Sequence, residues 1–184
     1  DGDKKFELLV RLLIREKPRQ AIIFCRTKRG TDRLYQRLSK LTKRVECIHG
    51  DMQQSARDRV MSKLREGSLR LLVATDVVGR GIDVTAISHI INYDIPQFCD
   101  DYVHRVGRTA RFDAEGDAIT LVTPDDEKLV QHIEYLLGFK LERKRLPGFD
   151  YDVPVPSWAR PSPETLRKGS SRGKSLADRW RSML

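Results

Sequence analysis

Leu72-Val73-Ala74-Thr75-Asp76-Val77-Val78-Gly79-Arg80-Gly81-Ile82-Asp83 begins apolar and then breaks abruptly into small, polar and charged residues. The apolar part reads as a buried strand and the remainder as the loop at its carboxyl end. In open parallel sheets, ligands bind at that end.

Working outward, the same alternation recurs along the chain. Phe6, Leu9, Val10, Leu13 and Ile14 follow helical spacing and Pro18 closes that helix, after which Ala21-Ile22-Ile23-Phe24 reads as a buried strand. The pattern predicts helices over 31–41 and 54–65, followed by strands over 45–48 and 69–74. Further strands are expected over 89–93 and 118–122, with a last helix over 125–137. Strands that alternate with helices define an α/β class, a parallel sheet covered by helices on both faces.

A second informative run follows some way downstream: Tyr102-Val103-His104-Arg105-Val106-Gly107-Arg108-Thr109-Ala110-Arg111. On a helix, Arg105, Arg108 and Arg111 lie along one side and repel one another. No Asp or Glu interrupts the run, so the compensating charge is expected from outside it, and planar guanidinium forks suit phosphate oxygens. A solvated basic helix face is the plainer alternative.

Composition narrows the class. The chain has 184 residues, 39% of them apolar, enough for one good core or one domain with a tail. Its net charge is +9, and residues 139–184 hold 11 Lys or Arg against 5 Asp or Glu, so +6 lies there and +3 in the first 138. A polyanionic partner fits this balance. Cys25, Cys47 and Cys99 form no CxxC pair, which argues against a disulfide framework and a zinc site, and no metal ligand is expected. No apolar stretch approaches the roughly 18 residues needed to span a bilayer, and Asp1-Gly2-Asp3 does not open a signal peptide. A reducing, cytoplasmic setting with no membrane association is expected, and the abrupt start suggests a piece of something longer.

A complete nucleotide hydrolase of this kind needs a Gly-rich phosphate loop with its Lys and acidic residues for Mg²⁺. Gly169-Ser170-Ser171-Arg172-Gly173-Lys174-Ser175 is one residue too short for such a loop and has no strand before it. It reads as a basic, flexible segment. Phosphate-directed arginines without a phosphate loop make half a site, which predicts a second domain upstream.

On these residues the chain resembles the DEAD-box RNA helicases. Ala74-Thr75-Asp76 with Arg80-Gly81-Ile82-Asp83 is similar to their motif V, and His104-Arg105-Val106-Gly107-Arg108-Thr109-Ala110-Arg111 to their motif VI, with Ala110 where Gly is usual. Ile22 to Gly30 resembles motif IV, and His49 to Arg57 resembles motif IVa. The resemblance implies the second of two RecA-like domains, 1–138, followed by a Pro-rich and then basic extension, 139–184. It implies that Arg108 and Arg111 reach the γ-phosphate of ATP, with Arg111 as the arginine finger, while Asp83 touches the ribose. Arg80 and His104 are implied to link the two domains, and Arg105 to be internal support. ATP and Mg²⁺ are then held mainly by the N-terminal RecA-like domain.

Thr27, Gly50, Gln54, Arg57 and Thr75 are implied to meet successive RNA phosphates, a sequence-independent and salt-sensitive mode. Each has a plainer alternative. Thr27 is suited to cap the next helix, Gln54 and Arg57 to be exposed helix surface, and Thr75 and Asp76 to form a turn. His89 and His132 match no motif and read as structural or surface residues. For the extension, ribonucleoprotein partners are one expectation, and Phe149, Tyr151 and Trp158 folding back as packing anchors is another. A DNA helicase or translocase domain of the same superfamily and a non-catalytic RNA-binding module are the alternative functions.

Overall fold

Short runs, wholly apolar over 21–24 and 71–74 and mixed over 45–48, 89–92 and 117–120, become the strands of one five-stranded sheet. The computed structural model of the chain describes residues 2–76, 87–106 and 117–151. Strand β1 is Ala21–Phe24, β2 is Val45–Ile48, β3 is Leu71–Ala74, β4 is His89–Asn92 and β5 is Asp117–Thr120. All neighbours pair in parallel in the order β2-β3-β1-β4-β5. The three inner strands are buried at every residue, whereas β5, at an edge, is exposed in its first half. This is the parallel sheet expected from the alternation, and it agrees with the RecA-like domain that the resemblance implies.

Helices α2, Lys28–Ser39, and α3, Gln54–Arg65, make the crossovers from β1 to β2 and from β2 to β3. These crossovers run in opposite directions along the sheet, so right-handed connections put the two helices on opposite faces. On the α3 face, Ile22, Phe24, Ile48, Leu72, Ala74 and Ile90 pack with Val60 and Leu64 of the helix. Each full burial of such a side chain is worth about 1.5–3 kcal/mol. Helix α4 is Cys99–Val106, and α5, Glu127–Leu137, follows a single 3-10 turn over Pro124–Asp126. Gly138 ends α5 at φ 76, a left-handed conformation that glycine adopts without steric cost, and its N–H donates to the Glu134 carbonyl at 3.0 Å.

Several boundaries differ from the sequence reading for local reasons. Helix α2 starts at Lys28 rather than Thr31 because Thr27 caps it. Strand β3 starts at Leu71 rather than Leu69, since the Leu69 and Arg70 amides donate instead to Lys63 and Arg44 carbonyls. The 54–65 helix and the 45–48 strand are found at the expected bounds.

The chain divides into two compact units, Pro18–Lys140 with the sheet, and Asp1–Lys17 with Leu141–Leu184. Helix α1, Gly2–Glu16, lies in the latter unit. There Lys4 pairs with Asp150 at 2.9 Å, Arg11 donates to the Gly148 carbonyl at 3.0 Å, and the Arg11 guanidinium lies 5.5 Å from the Phe149 ring. Phe149 and Tyr151 meet edge to face at 4.7 Å, with Arg145 over Tyr151. Phe149 thus packs back toward α1 through Arg11, Tyr151 packs within residues 145–151, and Trp158 lies outside the described residues.

Candidate functional site

Strand register lines up the ends of the sheet. Ile48, Ala74, Phe24, Asn92 and Thr120 form one row across β2-β3-β1-β4-β5, so the segments after them share one carboxyl edge. Thr75 follows β3, Gly50 follows β2 and Thr27 follows β1, three neighbouring strands. The connection from β1 leaves toward β2 while that from β4 leaves toward β5, which makes a crevice of the kind where α/β sheets bind ligands.

Arg105 fills the middle of that edge. Helix α4 turns it inward, 2% exposed, and its fork donates to both carboxylate oxygens of Asp76, through Nε to Oδ1 and through Nη2 to Oδ2 at 2.7 Å. Its Nη1 donates to Asn92 Oδ1 at 2.9 Å and to the Asp94 carbonyl at 2.8 Å, and the guanidinium lies 5.0 Å from the Phe24 ring centre. One side chain thus ties the segment after β3 to the ends of β1 and β4. For this member the chain itself supplies the compensating charge, and Arg105 is the internal support expected of it. Its counter-ion is Asp76, brought from 29 residues away in sequence by the fold. Tyr102, one turn earlier on α4, is also buried, and that burial pushes its phenol pKa up.

The loops after β1 and β2 lie against each other. Lys28 forms an ion pair with Asp51 and holds the Asp51 carboxyl below the usual carboxylate range. A Cβ added at Gly50 would lie 3.8 Å from the Lys28 side chain. Thr27 is exposed and its Oγ1 accepts the Gly30 amide at 3.0 Å, so the capping role is present; a Cβ on Gly30 would sit 3.0 Å from that oxygen, which explains glycine there. On the first turn of α3, Gln54 donates to Asp58 at 2.8 Å and accepts from Arg57 Nη1 at 3.2 Å. Gln54 is exposed and Arg57 half-buried, with Arg57 Nε lacking a hydrogen-bond partner. Thr75 is 6% exposed and its hydroxyl also lacks one among the described residues. Buried polar atoms left in this way are uncommon, and a water or a bound group is what satisfies them.

His104 is exposed on α4. Arg80, Asp83, Arg108 and Arg111 lie outside the described residues. His89 is structural, buried with Nδ1 2.9 Å from Ser88 Oγ and Nε2 3.6 Å from Asp117, and His132 is on the surface. Cys47, which the sequence argued was no zinc ligand, and His49, the start of the motif IVa run, converge with Asp32, which no motif had singled out. The available signal was Cys47 near the end of β2 with His49 immediately after that strand.

Comparison with known proteins agrees with this geometry. The family described as helicase conserved C-terminal domain matches residues 4–113. The DEAD-box ATP-dependent RNA helicase CshA of Geobacillus kaustophilus is 45% identical over 147 residues, 80% of this chain and 32% of that protein. The structure of the E. coli DEAD-box protein SrmB bound to regulator of ribonuclease activity A superposes with a TM-score of 0.76 at 33% identity, over 85% of this chain and 92% of that one. The S. cerevisiae Dbp5 structure bound to RNA and ADP BeF3 gives 0.67 at 34% identity, covering 73% of this chain and 36% of that one. The chain belongs to the DEAD-box RNA helicases, as their carboxyl-terminal RecA-like domain. It spans about a third of the length of the curated relatives it matches.

Proposed function

We propose that this chain is the second RecA-like half of an ATP-dependent enzyme that separates short RNA duplexes, supplying the arginine finger and a run of RNA-backbone contacts. The observation that carries the proposal is the row of aligned strand ends, which gathers Gly50, Thr75 and Thr27 from three adjacent strands on one edge. Hydroxyl, amide and guanidinium donors along such an edge suit a phosphate backbone and read no bases. The unpartnered Thr75 hydroxyl and Arg57 Nε supply donors ready for phosphate oxygens, and Gln54 orients Arg57. Dbp5, similar in fold, has been captured with RNA and a nucleotide analogue.

In this reading Arg105 braces α4 against the ends of β1, β3 and β4. Arg108 and Arg111 then donate to γ-phosphate oxygens, Asp83 accepts from the ribose, and Arg80 and His104 meet the N-terminal domain. ATP with Mg²⁺ supplies the phosphoryl group that goes to water. The arginine forks neutralise the charge that grows on it in the transition state. Residues 1–138 form the helicase domain, and 139–184 add RNA or ribonucleoprotein affinity. A cytoplasmic location fits, and no helix among the described residues is long and apolar enough to cross a membrane.

The test uses the longer protein that carries an N-terminal ATP-binding domain. Arg111→Ala should lower RNA-stimulated ATP turnover by about 10³-fold or more while RNA affinity is kept. Unchanged turnover removes the finger role. Stimulation by single-stranded RNA but not by DNA of equal length separates this function from that of a DNA translocase.

A further inference from the structure

Asp32 on α2, Cys47 on β2 and His49 immediately after it bring a carboxylate, a thiol and an imidazole together. His49 Nε2 lies 3.0 Å from Asp32 Oδ1, Cys47 Sγ lies 3.9 Å from the same oxygen, and all three ligand atoms fall within 4.8 Å of one another. No other such group occurs among the described residues. In a tetrahedral site with bonds of about 2.0–2.3 Å, ligand atoms sit roughly 3.3–3.6 Å apart. Small side-chain rotations of Asp32 and Cys47 therefore close the trio around one ion.

The chemistry of the set selects the ion. Magnesium and calcium want six or more oxygens, whereas a mixed sulfur, nitrogen and oxygen set suits zinc-class ions. Burial fixes the His49 ring, at 9% exposure, while the Asp32 carboxylate is 48% exposed and leaves an entry path and room for water. We propose that Asp32, Cys47 and His49 form a three-ligand site for a divalent transition metal of the zinc class, with water in the fourth position. On binding, the Cys47 thiol releases its proton to solvent and the thiolate bonds the metal, while the His49 proton that faces Asp32 moves to Nδ1 and frees Nε2 for the ion, with no change of oxidation state. Among the described residues His49 Nδ1 is buried without a hydrogen-bond partner, so the ring lacks the outer acceptor that usually strengthens metal-bound histidine, a lack worth about 10–100-fold in affinity. The site is therefore reversible rather than a structural zinc site. His49 adjoins Gly50, so the ion stiffens the loop between β2 and α3.

Titrating the reduced 184-residue chain with Co²⁺ tests this directly. One equivalent should bind with a thiolate-to-cobalt charge-transfer band in the near ultraviolet and visible bands of tetrahedral intensity, both reversed by Zn²⁺. Cys47→Ser should abolish the near-ultraviolet band, and Asp32→Asn and His49→Gln should weaken binding about tenfold or more. Metal-free thermal unfolding checks each variant, and Asp32→Asn, at a half-exposed position, keeps a folded comparison available. No charge-transfer band in the parent chain overturns the site. So does a band that survives Cys47→Ser, which assigns it to Cys25 or Cys99, or unchanged affinity in Asp32→Asn.

Discussion

Arg105 reconciles a run of three like charges with a stable fold. Buried at 2% exposure, it places four of its five N–H donors on Asp76, Asn92 and the Asp94 carbonyl among the described residues, whereas a lysine has no fork to span the two Asp76 oxygens. Removing one partner of a buried pair leaves the other charge without compensation. Arg105→Ala should therefore cost about 3–5 kcal/mol of stability, read as a lowered urea midpoint. Arg105→Lys should recover only part of it. A loss under about 1 kcal/mol for the alanine variant means that Asp76 finds water instead, as a surface pair does.

The elements most legible in the sequence were those whose burial is uniform. Ile22, Ile23, Leu72 and Val73 sit in strands buried on both faces, so a short apolar run sufficed to find them. Strand order was not legible, because parallel strands of one composition carry no mark of their neighbours. The Arg105–Asp76 bond and the trio of Asp32, Cys47 and His49 escaped for the same reason, since each joins elements far apart in sequence. The candidate RNA residues were found through motifs, yet the structure adds that Gly50, Thr75 and Thr27 follow adjacent strands. Helix α2 carries its own prediction. Thr27→Val removes the oxygen that caps Gly30 and should cost about 1 kcal/mol, while Thr27→Ser keeps the cap and should change little, both read by chemical denaturation. Equal stability of the two variants shows that the cap contributes nothing.

At the scale of the whole molecule, the boundary of the extension matters for any truncation. Residues 141–151 belong with α1, where Arg11 meets Gly148 and Phe149, so a cut at 139 removes packing as well as charge. A cut after Tyr151 removes 7 Lys or Arg and 3 Asp or Glu, a net +4, and leaves that packing in place. The shortened chain should bind single-stranded RNA more weakly at low salt, and its log affinity should fall less steeply with log salt, by about 0.7 for each phosphate that the basic segment had neutralised. Filter binding across a salt series checks this, and identical slopes confine RNA binding to residues before 152. The Arg105 fork has a consequence of another kind, for recombination. The stretches 71–76 and 99–106 behave as a single heritable part although 22 residues separate them. A chimera that imports one stretch from a relative with a different acid–base pair, and leaves the other behind, inherits a mismatched joint at the centre of the sheet edge. Grafts between helicases of this family should be cut outside both stretches.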